Sequence, residues 1–340
     1  MSVSKAWISG CIGLAPTRDE RSFFADERPW GFILFRRNVS EANQLFDLVA
    51  ALKEIGGGDD TPVFVDQEGG RIQRLRPPLA PNYPTARDIG AIFRQDEEAG
   101  LRASWLQGRL IAGDLLAYGI NANCLPCLDV PVEGAHSVIG DRAYASEPAI
   151  VSALGRAAAQ GSMAGGVLPV MKHVPGHGRG NADSHLELPV VSASLAELEE
   201  HDFPPFADLV DLPAAMTAHL LFEAVDPANP ATLSPRVIEE IVRGTIGFDG
   251  LLMTDDLSMK ALSGRFDERA RAAVGAGCDM VLHCNGDLEE MIAVSRGVPE
   301  LEGRAAERAA AAVAVIARGA EPVEGDDLRA EFDELTQSFA

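Results

Sequence analysis

Residues 167–185 read VLPVMKHVPGHGRGNADSH, an apolar run that stops at Lys172 and His173 and gives way to glycine, proline and histidine. A run that is apolar without alternation fits a parallel strand buried on both faces. The segment after it, with Pro175, Gly176, Gly178 and Gly180, reads as a solvent-reachable loop closed by the pair Asp183-x-His185. A strand that delivers polar groups to a loop is the unit from which the rest of the chain can be read.

The same unit recurs. Apolar runs at 6–14, 30–35, 62–65, 120–130, 214–222, 251–254 and 280–284 join 167–174 to make eight. Helical patterns lie between them. Residues 43–55 place Leu45, Leu48, Val49 and Leu52 on one face, 97–118 ends before Gly119, and 149–163 is rich in alanine. Ser194 with Glu197 forms a capping box, and Ser234-Pro235 offers an N-cap followed by proline. Helical patterns at 266–276 and 301–318 complete the set, the latter stopped by Gly319. Eight such runs alternating with helices predict an α/β fold, a single (β/α)8 TIM-type barrel, with an open doubly wound sheet as the alternative. We expect one catalytic barrel domain over 1–340, with a core of about 6–318 and a C-terminal helix or tail at 319–340.

Composition narrows the function. Of the 340 residues 24% are charged and 46% hydrophobic, the balance of a globular enzyme. A net charge of −22 argues against nucleic acid or an anionic membrane as partner. No run approaches the roughly 18 apolar residues of a membrane span. Five cysteines, an odd number, suit a reducing, cytoplasmic location better than a disulfide framework. Cys124-Leu-Pro-Cys127 has redox or zinc spacing but no second pair, and its apolar surroundings predict buried thiols. Ile8-Ser9-Gly10-Cys11 looks like a lipoprotein cleavage site, yet only Lys5 is basic and too short an apolar stretch precedes it. The segment reads instead as the first strand.

In a parallel barrel, chemistry gathers where the strands end. The third run ends at Asp66, which opens DQEGGRIQR and so introduces Arg74; Asp129 and then Arg142 follow the fourth. The fifth ends in Lys172-His173, the sixth in His219 and the seventh in Asp255-Asp256. Asp256 is expected to cap the turn after it. Adjacent strand residues point to opposite faces, so Lys172 and His173 reach one pocket only where the strand ends or bulges. Asp183 and His185 suit an acid–base dyad, the carboxylate fixing the tautomer while the other ring nitrogen exchanges a proton. The glycines lack the helix N-terminus and lysine of a phosphate loop. A metal set of His173, His177, Asp183 and His185 is the looser alternative.

The motifs KHVPGHG with DSH, DQEGGRIQR and MTDDLSM resemble glycoside hydrolase family 3, and within it the bacterial β-N-acetylglucosaminidases of cell-wall peptidoglycan recycling. GFILFRRN, MTAHLLF with PATLS, and AGCDMVL extend the resemblance over about 31–284. It implies a retaining exo-β-N-acetylglucosaminidase acting on N-acetylglucosaminyl-anhydromuramyl peptides. In that reading Asp255 is the nucleophile that forms a covalent glycosyl intermediate, and His185 is the acid/base with Asp183 as its partner. Asp66, Arg74, Arg142, Lys172 and His173 bind the sugar. No metal or organic cofactor is implied, and a monomer is expected. Two departures, Val174 in place of an aromatic and the loop Gly178-Arg179-Gly180-Asn181-Ala182, touch packing and leaving-group preference rather than mechanism. A phosphorylase or another family-3 glycosidase, a metal-dependent barrel hydrolase and a non-catalytic sugar-binding module remain the competing readings.

Overall fold

The computed structural model describes residues 4–322 and 327–338. Parts of the expected tail, 323–326 and 339–340, lie outside the described residues; Leu328–Ser338 is helical.

Eight parallel strands carry the architecture: β1 (Lys5–Gly10), β2 (Pro29–Leu34), β3 (Val63–Val65), β4 (Ala122–Asn123), β5 (Leu168–Pro169 and Met171–Val174), β6 (Ala214–Thr217), β7 (Leu251–Asp256) and β8 (Met280–His283). Val170 divides β5 into halves that pair on opposite sides, the first with β4 and the second with β6. A ladder that leaves one side of β5 therefore passes through β4, β3, β2, β1, β8, β7 and β6 and returns on the other. This closes the barrel and excludes the open sheet.

Burial on both faces follows from the alternation of inward and outward side chains. Ala6 and Ile8, Ala214 and Met216, Leu251 and Met253, and Met280 and Leu282 fill the interior. Their strand neighbours Trp7, Ala215, Leu252 and Val281 join the layer beneath the helices. Each fully buried large apolar side chain contributes roughly 1.5–3 kcal/mol.

The helices Ala42–Gly56, Glu97–Leu116, Pro148–Ala164, Phe266–Ala276 and Gly303–Arg318 stand close to their expected positions. Three strand expectations are too long. The first run stops at Gly10, and the sixth stops at Thr217, with Leu221–Phe222 instead pairing with Val190–Val191 outside the barrel. The fourth run is interrupted because Pro126 has no N–H to give the ladder; beyond β4 it meets β5 through the Val170 N–H to Leu125 O bond and an isolated bridge of Cys127 opposite Lys172. No helix among the described residues is long and apolar enough to cross a membrane.

Candidate active site

The segment after β3 turns back on itself as a short antiparallel pair, Gln67–Gly69 with Ile72–Gln73. The Gln67 side chain is its internal brace. Its carbonyl accepts from the N–H groups of Arg74 and Leu75 at 2.9 and 3.0 Å, and its amide donates to Leu75 O at 2.8 Å. Gly69 sits at φ +107°, and a Cβ there would fall 2.3 Å from Pro84 O, so only glycine fits this turn. The hairpin thereby returns Arg74 to Asp66, with Nη2 2.9 Å from Oδ2.

Lys172 extends the array. Its ammonium lies 2.9 Å from Asp66 Oδ1 and 2.6 Å from Glu68 Oε1. Arg142 grips the same Glu68 with two bonds, Nε to Oε2 at 2.8 Å and Nη2 to Oε1 at 2.7 Å. Burial works against the charge of Asp66, but Lys172 and Arg74 outweigh it and hold the carboxyl well below its usual range. Burial likewise opposes the ammonium of Lys172, and Asp66 and Glu68 more than compensate, so its pKa rises.

Both Lys172 and His173 line the pocket. Pairing along β5 shifts register there, Lys172 standing opposite Met216 and Val174 opposite Thr217, so one residue is taken up as a bulge. His173 Nδ1 lies 2.6 Å from Asp129 Oδ2. Asp129 is held far below the usual carboxylate range: His173 and the His177 backbone N–H overcome the cost of burying it. An ionised Asp129 only accepts, so the Nδ1 proton is on His173 and Nε2 is left for the pocket.

Asp255 and Asp256 end β7. The Asp256 N–H donates to Asp255 Oδ1 at 2.8 Å, and among the described residues Oδ2 has no hydrogen-bond partner. Burial opposes the Asp255 charge, yet His219 and His173 bring its pKa below the ordinary value. Asp256 caps the following turn as expected, accepting from Ser258 N–H at 2.9 Å and from Cys284 N–H at 3.1 Å. Behind them His219 is fully buried, its Nε2 donating to Asp256 O at 3.0 Å and its Nδ1 2.7 Å from Thr232 Oγ1.

The loop after β5 carries the dyad. Asp183 Oδ1 accepts from the His185 N–H at 2.9 Å and from its Nδ1 at 2.8 Å. Two neighbouring loops latch this one: the His136 N–H donates to Gly180 O at 2.9 Å and the Ala261 N–H to Ser184 O at 3.1 Å. His185 is 66% exposed on its side chain yet still lines the pocket that holds Asp255.

That pocket, about 590 Å³ counted to its open mouth, brings together Asp66, Arg74, Arg142, Lys172, His173, His185 and Asp255. Asp183 stands behind His185. Ile33, Met216 and Leu282 give it an apolar floor. Three residues at the site had been given no role: Glu68, Asp129 and His219. The latter two were visible as polar strand ends; Glu68 had the weaker signal of standing two residues from Asp66, hence on the same face of an extended segment.

The looser metal set does not come together. Among the described residues, the only cluster of three or more His, Cys, Asp and Glu ligand atoms within 4.8 Å of one another is Cys127, Asp129 and His173. Asp129 Oδ2 there already accepts from His173 and from the Cys127 thiol, which is 3.2 Å away. All five cysteines are free and buried, and burial pushes the Cys127 thiol well up, as expected of an inert thiol.

Chemically the pocket pairs a wall of ion-paired cationic donors, suited to hydroxyl and carbonyl oxygens, with the unpaired carboxylate oxygen of Asp255 and the imidazole of His185, a group able to exchange a proton. Comparison with known proteins agrees. A β-hexosaminidase of Aromatoleum aromaticum is 38% identical over 277 residues, 80% of this chain and 77% of that protein. The crystal structure of native NagZ from Neisseria gonorrhoeae superposes with a TM-score of 0.87 at 32% identity, covering 99% of this chain and 98% of the other. The same NagZ in complex with N-trifluoroacetyl-D-glucosamine gives 0.86 at 32% identity, over 98% of both chains. Residues 5–318 match the glycosyl hydrolase family 3 N-terminal domain. The chain is a glycoside hydrolase and belongs to glycosyl hydrolase family 3.

Proposed function

We propose that this chain is a retaining exo-β-N-acetylglucosaminidase that removes terminal N-acetylglucosamine from anhydromuramyl peptides, acting as a monomeric, single-domain barrel in the cytoplasm. The observation that carries the reading is the meeting of Asp255 and His185 in one pocket walled by Asp66, Arg74, Arg142, Lys172 and His173. The likeness to a NagZ bound to an N-acylglucosamine analogue supports the sugar. Five buried free thiols are in keeping with a reducing compartment.

Asp255 Oδ2 attacks the anomeric carbon as the glycosidic C–O bond breaks, and His185 Nε2–H delivers its proton to the leaving oxygen. Water then gives a proton to His185 and attacks the same carbon, releasing Asp255 and restoring the β configuration. Asp183 holds the imidazole through Nδ1 and stabilises it when charged. Arg74, Lys172 and Arg142 donate to sugar hydroxyls and the acetamido carbonyl. A histidine in place of the usual second carboxyl adds no negative charge beside Asp255, which therefore stays ionised.

A chromogenic aryl β-N-acetylglucosaminide tests the assignment. Asp255→Ala should lose essentially all turnover, and His185→Ala should retain on the order of one part in 10²–10⁴. Near-normal rates for Asp255→Ala would refute the nucleophile. Product analysis with and without inorganic phosphate separates hydrolysis from phosphorolysis.

A further inference from the structure

Glu68 is the point on which the cationic wall converges. Its carboxylate takes both Arg142 bonds and stands 2.6 Å from Lys172 Nζ, while Asp66 holds Lys172 from the other side and Arg74 beyond it. Charges thus alternate Arg74, Asp66, Lys172, Glu68, Arg142. Burial disfavours the Glu68 charge, but Arg142 and Lys172 prevail and bring its pKa down to about 2. The carboxylate is therefore anionic throughout the working range.

Its consequence is directional. Arg142 spends Nε and Nη2 on Glu68, and among the described residues Nη1 has no partner. Arg74 spends Nη2 on Asp66, and its buried Nε is unpartnered. A bidentate fork fixes the plane of a guanidinium, so Glu68 decides where the remaining Arg142 donor points. It also separates two cations that would otherwise repel at close range. The backbone beneath it is anchored, Gln107 Nε2 donating to Glu68 O at 3.0 Å and Gly69 occupying its left-handed turn.

We infer that Glu68 is a positioning residue for sugar binding: it aims the free donors of Arg142 and Lys172 into the pocket and touches no reacting atom. The inference rests on the proposed role of those two cations in holding the sugar. Glu68→Gln keeps the size but sets an amide donor against guanidinium donors; Glu68→Asp keeps the charge but shortens the reach.

Steady-state kinetics are measured on aryl β-N-acetylglucosaminide and aryl β-glucoside. The variants are compared on whichever glycoside the wild type turns over, so a wild type that cleaves only the glucoside counts against the N-acetylglucosamine reading and leaves the Glu68 test intact. Glu68→Gln should raise KM about tenfold or more with kcat within about threefold, because the nucleophile and proton donor are untouched. The inhibition constant of the free monosaccharide should rise in parallel. Glu68→Asp should fall between wild type and Glu68→Gln, and it carries the test alone if Glu68→Gln does not fold. A KM within about twofold of wild type in the folded variants, with any loss confined to kcat, would overturn the inference.

Discussion

At the scale of single residues, His177 is the group whose burial has the clearest thermodynamic signature. It sits beneath the dyad loop with its ring edge-on to His173 at 5.6 Å, Nε2 3.4 Å from Ser184 Oγ and Nδ1 without a partner among the described residues. Burial, helped by the neighbouring His173, lowers its pKa from 6.5 to about 4. Between those values the unfolded chain binds the proton and the folded one does not, so stability rises with pH across that window and is lost as pH falls through it. From pH 7.5 to 4.5 the loss attributable to His177 should be on the order of 2 kcal/mol. Urea unfolding at the two pH values measures it; His177→Gln should flatten the difference, and an unchanged difference would place the effect elsewhere. His177 was read as a loop histidine and a member of the loose metal set, because nothing local says that a residue flanked by Gly176 and Gly178 is buried. Asp255, Lys172 and His173 were legible for the opposite reason: each ends an apolar run, and a barrel strand has one polar end. Glu68 was hidden by a hairpin whose return direction depends on Gln67 bonding seven and eight residues ahead, to Arg74 and Leu75.

At the scale of elements, the helices Glu97–Leu116 and Pro148–Ala164 approach closely through glycine. A Cβ on Gly161 would fall 2.0 Å from Trp105 O, and one on Gly108 would fall 2.2 Å from Ala158 O. Alanine would gain about 1 kcal/mol of helix propensity at either place and lose more by forcing backbones apart. Gly161→Ala should therefore destabilise by roughly 1–3 kcal/mol in urea unfolding while leaving KM unchanged. A neutral or stabilising result would show that the helices can part without cost. Both helices were readable, the first from its length and its stop at Gly119, the second from its alanines. Arg18–Glu27 was not, since Phe23 and Phe24 are its only large apolar residues; its true signal is the reciprocal cap in which Thr17 Oγ1 accepts from Glu20 N–H and the Glu20 carboxylate accepts from Thr17 N–H. Leu288–Ser295 was missed likewise, its cue being the Asp287 cap.

At the scale of the whole molecule, a net charge of −22 means that folding gathers mutually repelling surface carboxylates. The ion pairs of the pocket wall are buried and little screened, whereas the surface repulsion is screened within about 10 Å at 0.1 M salt. Stability should hence rise as sodium chloride goes from 10 to about 300 mM, read as an upward shift of the urea midpoint; a fall would mean that surface ion pairs dominate. The eight-fold alternation of strand and helix was plain in the sequence, but closure was not, because it depends on Val170 splitting one strand between two neighbours. The loop that holds Asp183 and His185 is tied by backbone bonds to the stretches holding His136 and Ala261, which follow other strands. Transplanting that loop alone from a relative would leave those ties unmatched. The unit of exchange, in the laboratory or by recombination, is three loops moving together.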